Sequence, residues 1–490
     1  MNYDFQQCLS ETGEIGFVEK VIPPLVYVAG LPEVRPQEVI AFESGAVAQV
    51  IGFDESYVEL VLLSGGTPEA GSRVARTGRA VEIGVGEGLL GTVIDPLGYA
   101  LEPGIARPFE EEERRPIDRE PPGVDVRVRI TRPCEVGVSI VDLMLPLGKG
   151  QRELVIGDQK TGKSRFLVRS LIAQVRSGAL GVYAVIGKSQ VIAKQVEEKL
   201  RAMGVMDRIV MVVSRAQDTA GAVFLTPYSA MAVAEYFLDK GHDVFVVLDD
   251  LSVHAKSYRE LALTARRFPG RNSYPGDIFY AHARLLERAG NFMTPHGERS
   301  ITCLPAVEAP FGDLAGYVQT NVMSMTDGHL FFDHALFAEG RRPAIDPFLS
   351  VTRVGRQTQT RLRQEIGREL ITFLRGVEKM HAFKSFGAEA GESVVAALER
   401  ERRLIEFFDE TPYDIVPPNV QVVIFGIVWS DIWVHKKRNE IRLAVQKIIF
   451  LYERDALVRG QIDAFVGRCD SLETLLKEVA EFSRVLEHVS

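Results

Sequence analysis

The feature that most limits what this chain can fold into is the octapeptide Gly157-Asp158-Gln159-Lys160-Thr161-Gly162-Lys163-Ser164. It fits the pattern G-x-x-x-x-G-K-[S/T], follows an apolar run at 154–156 and precedes a helical run from Arg165. A buried strand, a glycine-bearing turn and a helix in that order make an anion cradle. The glycines let backbone N–H groups turn inward, and the helix aims its positive N-terminal end at the same point. Lys163 is expected to reach the outer phosphates of a nucleotide, ATP or ADP, and the Ser164 hydroxyl to ligate Mg2+.

The run Val244-Phe245-Val246-Val247-Leu248 ends in Asp249 and Asp250. A carboxylate at the C-terminal end of such a strand, about 85 residues after a phosphate loop, is expected to hold magnesium through water. Other continuous apolar runs at 154–156, 182–186 and 209–213 alternate with amphipathic stretches from about 126 to 360, which predicts parallel strands with helices between them. The segment Gly86-Glu87-Gly88-Leu89-Leu90-Gly91 also fits G-x-G-x-x-G. It opens no βαβ unit, because 92–94 reads as strand rather than helix, so a structural turn is expected there.

On either side the texture differs. Short runs rich in β-branched residues at 15–22, 26–28, 39–42, 46–53 and 57–63, punctuated by Gly, Pro and Ser, predict a small closed β-barrel. The Pro-rich and charge-dense stretch 102–125 reads as an exposed connection. After about 363, long charged amphipathic stretches such as 394–408 and 471–489 indicate helices. The expected fold is therefore multidomain: an N-terminal β-barrel over 1–76, a central α/β P-loop (RecA-like) nucleotide-binding domain over 77–362, and a C-terminal α-helical domain over 363–490. The length of 490 residues suits about three domains at ~150 residues each.

A net charge of −9 disfavours broad nucleic-acid binding, which needs a basic surface. Cys8, Cys134, Cys303 and Cys469 are far apart and form no metal or disulfide spacing; they read as reduced thiols. The most apolar stretch, 420–434, is interrupted by Gln421 and Asp431 and is expected to hold a buried strand and a helix start rather than a membrane span. The N-terminus has the marks of neither a signal nor a transit peptide; a cytoplasmic-face location is expected.

The segments GDQKTGKS, VLDDLSVHAKSYRELAL, RRFPGRNSYPGDIFYAHARLLERAG, TNVMSMTDGHLFF and RRPAIDPFLSVTRVG, in order between about 14 and 362, resemble the alpha subunit of the rotary F-type ATP synthase. The resemblance implies an alternating hexameric ring with catalytic beta-type subunits, a central rotor-stalk partner, a peripheral-stalk partner and an indirect attachment to the membrane sector. The family usually carries a helical extension before the barrel, whereas barrel-like strands begin here near Ile15, which puts the peripheral-stalk contact in question. The family also implies that Arg353, in SVTRVG, is an arginine finger acting on the neighbouring subunit's nucleotide, and that Ser324 borders the same interface; a structural hydroxyl is the equal alternative for Ser324.

Hydrolysis needs a group that orients and activates water. Catalytic relatives carry a Glu just after the strand that follows the P-loop helix, and alpha subunits typically carry Gln. Here the matching position is Lys188, which cannot act as a base. It would pair with a γ-phosphate or be a solvated turn lysine. The reading is a noncatalytic, nucleotide-binding alpha-type subunit; the alternatives are a catalytic ring ATPase of the secretion type, an RNA-translocating ring ATPase, and a purely structural relic. The last is suggested by Glu410, Thr411 and Pro412, which stand where the family's adenine pocket has glutamines.

Overall fold

A computed structural model describes residues 3–54, 56–101, 113–385, 391–411 and 413–488, with the side chains of 382–385, 487 and 488 left aside. Much of the expected charged connection, and Pro412, lie outside the described residues. The chain divides into two compact units: one of Met1–Val128, Val175–Glu308 and Leu314–Thr326, the other of Arg129–Gln174, Ala309–Asp313 and Asp327–Ser490.

In the first unit six antiparallel strands close a barrel. Their spatial order is Ile15–Ile22, Leu25–Ala29, Val58–Ser64, Val47–Phe53, Glu38–Phe42 and Arg73–Ala80, and the last pairs back onto the first. The inward residues are those the β-branched alternation selects: Val26, Val28, Ile40, Phe42, Val50, Leu60 and Val74 form one buried cluster. The expected boundary at 76/77 falls inside the closing strand. That strand is polar in sequence yet carries a buried Arg76, whose guanidinium meets Glu38 at 3.1 Å and Glu14 at 2.6 Å. A short helix, Phe5–Thr12, lays Phe5 and Cys8 on Ala41 and Ala75 of the barrel wall.

The same unit holds a parallel sheet. Leu180–Lys188 lies between Ile209–Arg215 and Val244–Asp249; Gly297–Glu308 and Val93–Ile94 extend it on the two sides. The helix Ala220–Asp239 is buried along nearly its whole length, as expected where a sheet is covered on its faces. The G-x-G-x-x-G segment is a one-turn 3₁₀ helix, Glu87–Leu89, between short strands, and no helix opens after it.

In the second unit Glu153–Gly157 pairs in parallel with Gly328–Phe332, which pairs antiparallel with Ile345–Thr352. Among the described residues six helices follow: Arg361–Ser385, Glu392–Phe408, Pro418–Trp429, Arg438–Arg454, Ala456–Arg468 and Leu472–His488. The expected strand within 420–434 is corrected here: the apolar run is the helix Pro418–Trp429, with Val420 through Val428 buried. A run apolar on all sides cannot distinguish a buried strand from a buried helix. The proline at the first helical position favours the helix. Gln421, inside the run, donates to Asp142 at 2.8 Å and to the Val416 carbonyl at 2.9 Å, so its amide nitrogen enters the core satisfied.

All four cysteines are buried and none forms a disulfide. Among the described residues no helix is long and apolar enough to cross a membrane.

Candidate functional site: a phosphate loop and a lysine-bound aspartate

The phosphate loop leaves the buried strand Glu153–Gly157 and enters the helix Lys163–Arg176. Two glycines are required. A Cβ at Gly157 would strike the Phe332 carbonyl, and Gly162 turns with φ +100°, a region L side chains rarely enter. The Asp158 carboxylate ties the loop together, accepting from the Gln159 N–H at 2.7 Å and the Phe311 N–H at 3.2 Å. Thr161 donates to the Asp158 carbonyl at 2.7 Å. Lys163 is buried and folds back on its own loop, donating to the carbonyls of Gly157 at 2.8 Å and Asp158 at 2.6 Å. Gln159 and Lys160 are exposed, and Ser164 stands in the first turn of the helix.

A cavity of about 40 Å³ opens beside this helix, lined by Thr161, Phe166, Arg169, Phe337, Arg342 and Glu410 among others. Glu410 is buried there, forms an ion pair with Arg169 and accepts from the Ser139 N–H at 3.0 Å. Burial pushes the Glu410 carboxyl above its ordinary range, opposed by Arg169. The Arg342 guanidinium lies 3.5 Å from the centre of the Phe337 ring, a cation–π arrangement. Of these residues the sequence reading singled out only Thr161 and Glu410. The spacing of Arg165 and Arg169, four apart on one helix face, is a signal in the sequence that the reading did not use.

In the first unit Asp249 ends its strand with the side chain buried. Lys188 Nζ lies 2.5 Å from Asp249 Oδ1, and the Tyr183 hydroxyl donates to Oδ2 at 2.8 Å. Lys188 is thus neither a solvated turn residue nor beyond the strand. The strand continues through Lys188, irregular between Val185 and Lys188, with Gly187 at φ +60°. Asp250 caps the next helix, accepting from the Val253 N–H at 3.0 Å. Its pKa is pushed up to about 6 by burial and by the neighbouring Asp249 charge, against the pull of Lys188.

These contacts test the magnesium expectation. Ser164 stands in the first turn of the helix Lys163–Arg176, and both oxygens of Asp249 are engaged by protein groups, one of them by the Lys188 ammonium. Among the described residues no group of three or more His, Cys, Asp or Glu could hold a metal.

Arg353 lies past the end of the Ile345–Thr352 strand, its N–H donating to the Asp327 carbonyl at 3.2 Å. Its side chain is exposed and makes no hydrogen bond or ion pair with a described residue, although its charge is felt by the buried Glu153. Ser324, near the end of the Tyr317–Met325 helix, is exposed and donates to the Asn321 carbonyl at 2.7 Å. It belongs to the unit of Asp249 and Lys188, Arg353 to that of the phosphate loop.

The model of the ATP synthase alpha/beta family nucleotide-binding domain matches residues 137–352. The chain is 42% identical over 392 residues to ATP synthase subunit alpha 1 of Paraburkholderia xenovorans, covering 80% of this chain and 76% of that protein. It is 37% identical over 412 residues to ATP synthase subunit alpha of Aquifex aeolicus, covering 84% and 82%. With the subunit alpha of Neorickettsia sennetsu the match is 35% identical over 484 residues, covering 96% and 94%. On the barrel, the phosphate-loop domain, the helical C-terminal part and this similarity along most of its length, the chain belongs to the ATP synthase alpha-subunit family.

Proposed function

We propose that this alpha subunit binds ATP or ADP without hydrolysing it, in a ring where it alternates with catalytic beta-type subunits, and that Arg353 serves the neighbour's site. The observation that carries the reading is the Lys188–Asp249 ion pair. At the position where catalytic relatives carry the glutamate that activates water, the chain has an ammonium that can accept no proton and is held by a carboxylate. The phosphate loop supports binding: Lys163 is held on two loop carbonyls that a phosphate would outcompete.

Arg353 suits action in trans. An arginine kept for the fold would be expected in an ion pair; this one is exposed and unbridged within the described chain. A planar, always charged guanidinium stabilises charge as it develops on a transferring phosphoryl group. Ser324 is assigned to the border of that interface. The further partners are the central rotor stalk and a peripheral stalk, with the subunit peripheral to the membrane on its cytoplasmic face.

An RNA-translocating ring is disfavoured by the barrel, where Arg76 is taken up by Glu38 and Glu14, and Arg73 by Glu43. A self-sufficient ATPase of the secretion type predicts turnover by this chain alone. The test is phosphate release by the purified full-length chain with ATP, alongside a binding measurement. Binding without release is expected; robust release by a contaminant-free preparation would overturn the noncatalytic assignment.

A further inference from the structure

A cavity of about 400 Å³ lies wholly within the second unit, walled by the helices Arg361–Ser385 and Glu392–Phe408 and by the segment 336–348. Its volume is that of a small-molecule site. Both helical walls change character along their length. Leu374, Glu378 and His381 follow at steps of four and three on one face of the first helix, and Glu401, Leu404 and Phe408 at steps of three and four on one face of the second. His381 Nε2 lies 2.6 Å from Glu401 Oε2. That contact brings the acidic turns of the two helices together, and each helix becomes apolar one to two turns away from it. The other carboxylates of the wall are engaged. Asp409 meets Arg438 at 3.0 Å and Arg442 at 2.6 Å, Glu339 faces Arg341 at 3.4 Å, and Asp346 accepts from the N–H groups of Phe348 and Leu349 at 2.7 and 3.0 Å. Arg342 is held over Phe337 and donates to its carbonyl at 2.8 Å. Among the described residues Glu378 has no hydrogen-bond or ion-pair partner, and Glu401 has His381 alone.

We propose that this cavity binds a hydrophobic amine, its ammonium at Glu378 and Glu401 and its apolar body against Leu374, Leu404 and Phe408. Both halves of the ligand follow from the wall. An ammonium carries three donors and no acceptor, so it can serve two carboxylates at once. A hydrophobic acid would bring like charge to them, and a neutral hydrocarbon would desolvate them without compensation. A polyamine would satisfy the carboxylates and leave the apolar turns uncovered. The Glu401 side chain is only 15% exposed, so a cation beside it is screened less than on open surface. The inference is independent of the nucleotide-binding reading, since none of these residues belongs to the phosphate loop.

The experiment is calorimetry or ligand-observed NMR on the full-length chain at neutral pH with two probes: naphthylmethylamine, and naphthylmethanol, which has the same apolar body and no charge. The amine is expected to bind at least about tenfold more tightly, the scale of one charge-assisted hydrogen bond. Glu378→Gln together with Glu401→Gln should bring the two probes within about twofold of each other. Leu374→Trp, which puts an indole into the apolar half, should weaken both probes together, and Leu374→Met, of similar volume, should weaken neither. Equal affinity of the two probes for the wild type would overturn the proposal, as would absence of amine binding up to about 1 mM. An amine preference that survives the double Gln variant, or amine affinity that survives Leu374→Trp, would place the amine elsewhere on the chain and overturn it equally.

Discussion

Arg288 and Glu235 meet in a two-point ion pair closed off from water. Nε donates to Oε1 at 2.8 Å and Nη2 to Oε2 at 2.9 Å, while Nη1 donates to the Ile117 carbonyl at 2.7 Å. The Arg288 side chain is 0% exposed. Removing one member of such a pair leaves an uncompensated buried charge, at a cost of about 3–5 kcal/mol. Glu235→Ala should therefore lower the denaturation midpoint of the full-length chain sharply. A double replacement of Arg288 and Glu235 by Met and Leu should cost less than the single one, and equal or larger losses in the double variant would show that the pair itself stabilises the fold.

Arg353→Ala should separate turnover from binding. In the assembled complex an arginine finger is worth a factor of ~10³–10⁵ in phosphoryl-transfer rate, because the contact strengthens as charge develops. Nucleotide content and ring assembly should stay near wild type while multisite turnover collapses. Arg353→Lys should recover little, since a point charge lacks the planar fork. Intact assembly with near wild-type turnover would eliminate the finger assignment.

Lys163→Ala should weaken nucleotide binding by this subunit, yet lower steady-state ATPase of the assembled complex only in part. The lysine serves a local site that does no chemistry in this reading. Complete loss of activity in a ring that still assembles would mean that the site does more than bind.

The buried histidines predict a pH effect on stability. His254 Nδ1 lies 3.2 Å from His282 Nε2, and the His254 ring stacks on Phe224 at 4.8 Å. Burial holds both below the ordinary histidine value, with His282 at about 4. As pH falls below ~6.5 the unfolded chain takes up protons that the folded chain refuses. The stability these groups contribute is thus full above that pH and is lost on the way to about 4, at up to ~1.4 kcal/mol per pH unit per group. Asp142, pushed up to about 7, and Asp250, at about 6, work in the opposite sense, so the comparison is with a variant. His282→Asn should be less stable than wild type at pH 7.5, by a margin that shrinks toward pH 5. A margin constant across chemical denaturation curves at those two pH values would exclude the neutral pair.

The phosphate loop and the strand ending in Asp249 were legible because the chemistry dictates residue types at fixed spacing: glycine for the turn, lysine for phosphate, a carboxylate at a strand end. The barrel strands announced themselves by β-branched alternation. What escaped was set by contacts distant in sequence. Arg73–Ala80 is too polar to read as a strand until Glu38 and Glu14 are brought to Arg76. The partner of Lys188 is visible only once the strands bring it to Asp249. Arg169 and Glu410, 241 positions apart, meet in one cavity wall. The helix at Pro418–Trp429 was missed for the opposite reason, since a run buried on every side carries no periodicity to read.

The barrel closes through Ile15, Gly16 and Phe17 against Ala75, Val74 and Arg73. Every strand in it thereby has a partner on both flanks, and no row of backbone N–H and C=O groups is left as a template for a foreign strand. A subunit that waits for its neighbours at high local concentration is thus protected from joining them in the wrong way. A partner cannot extend this module by adding a strand, so changes on its outer surface can alter partner choice without risking a slip in strand pairing.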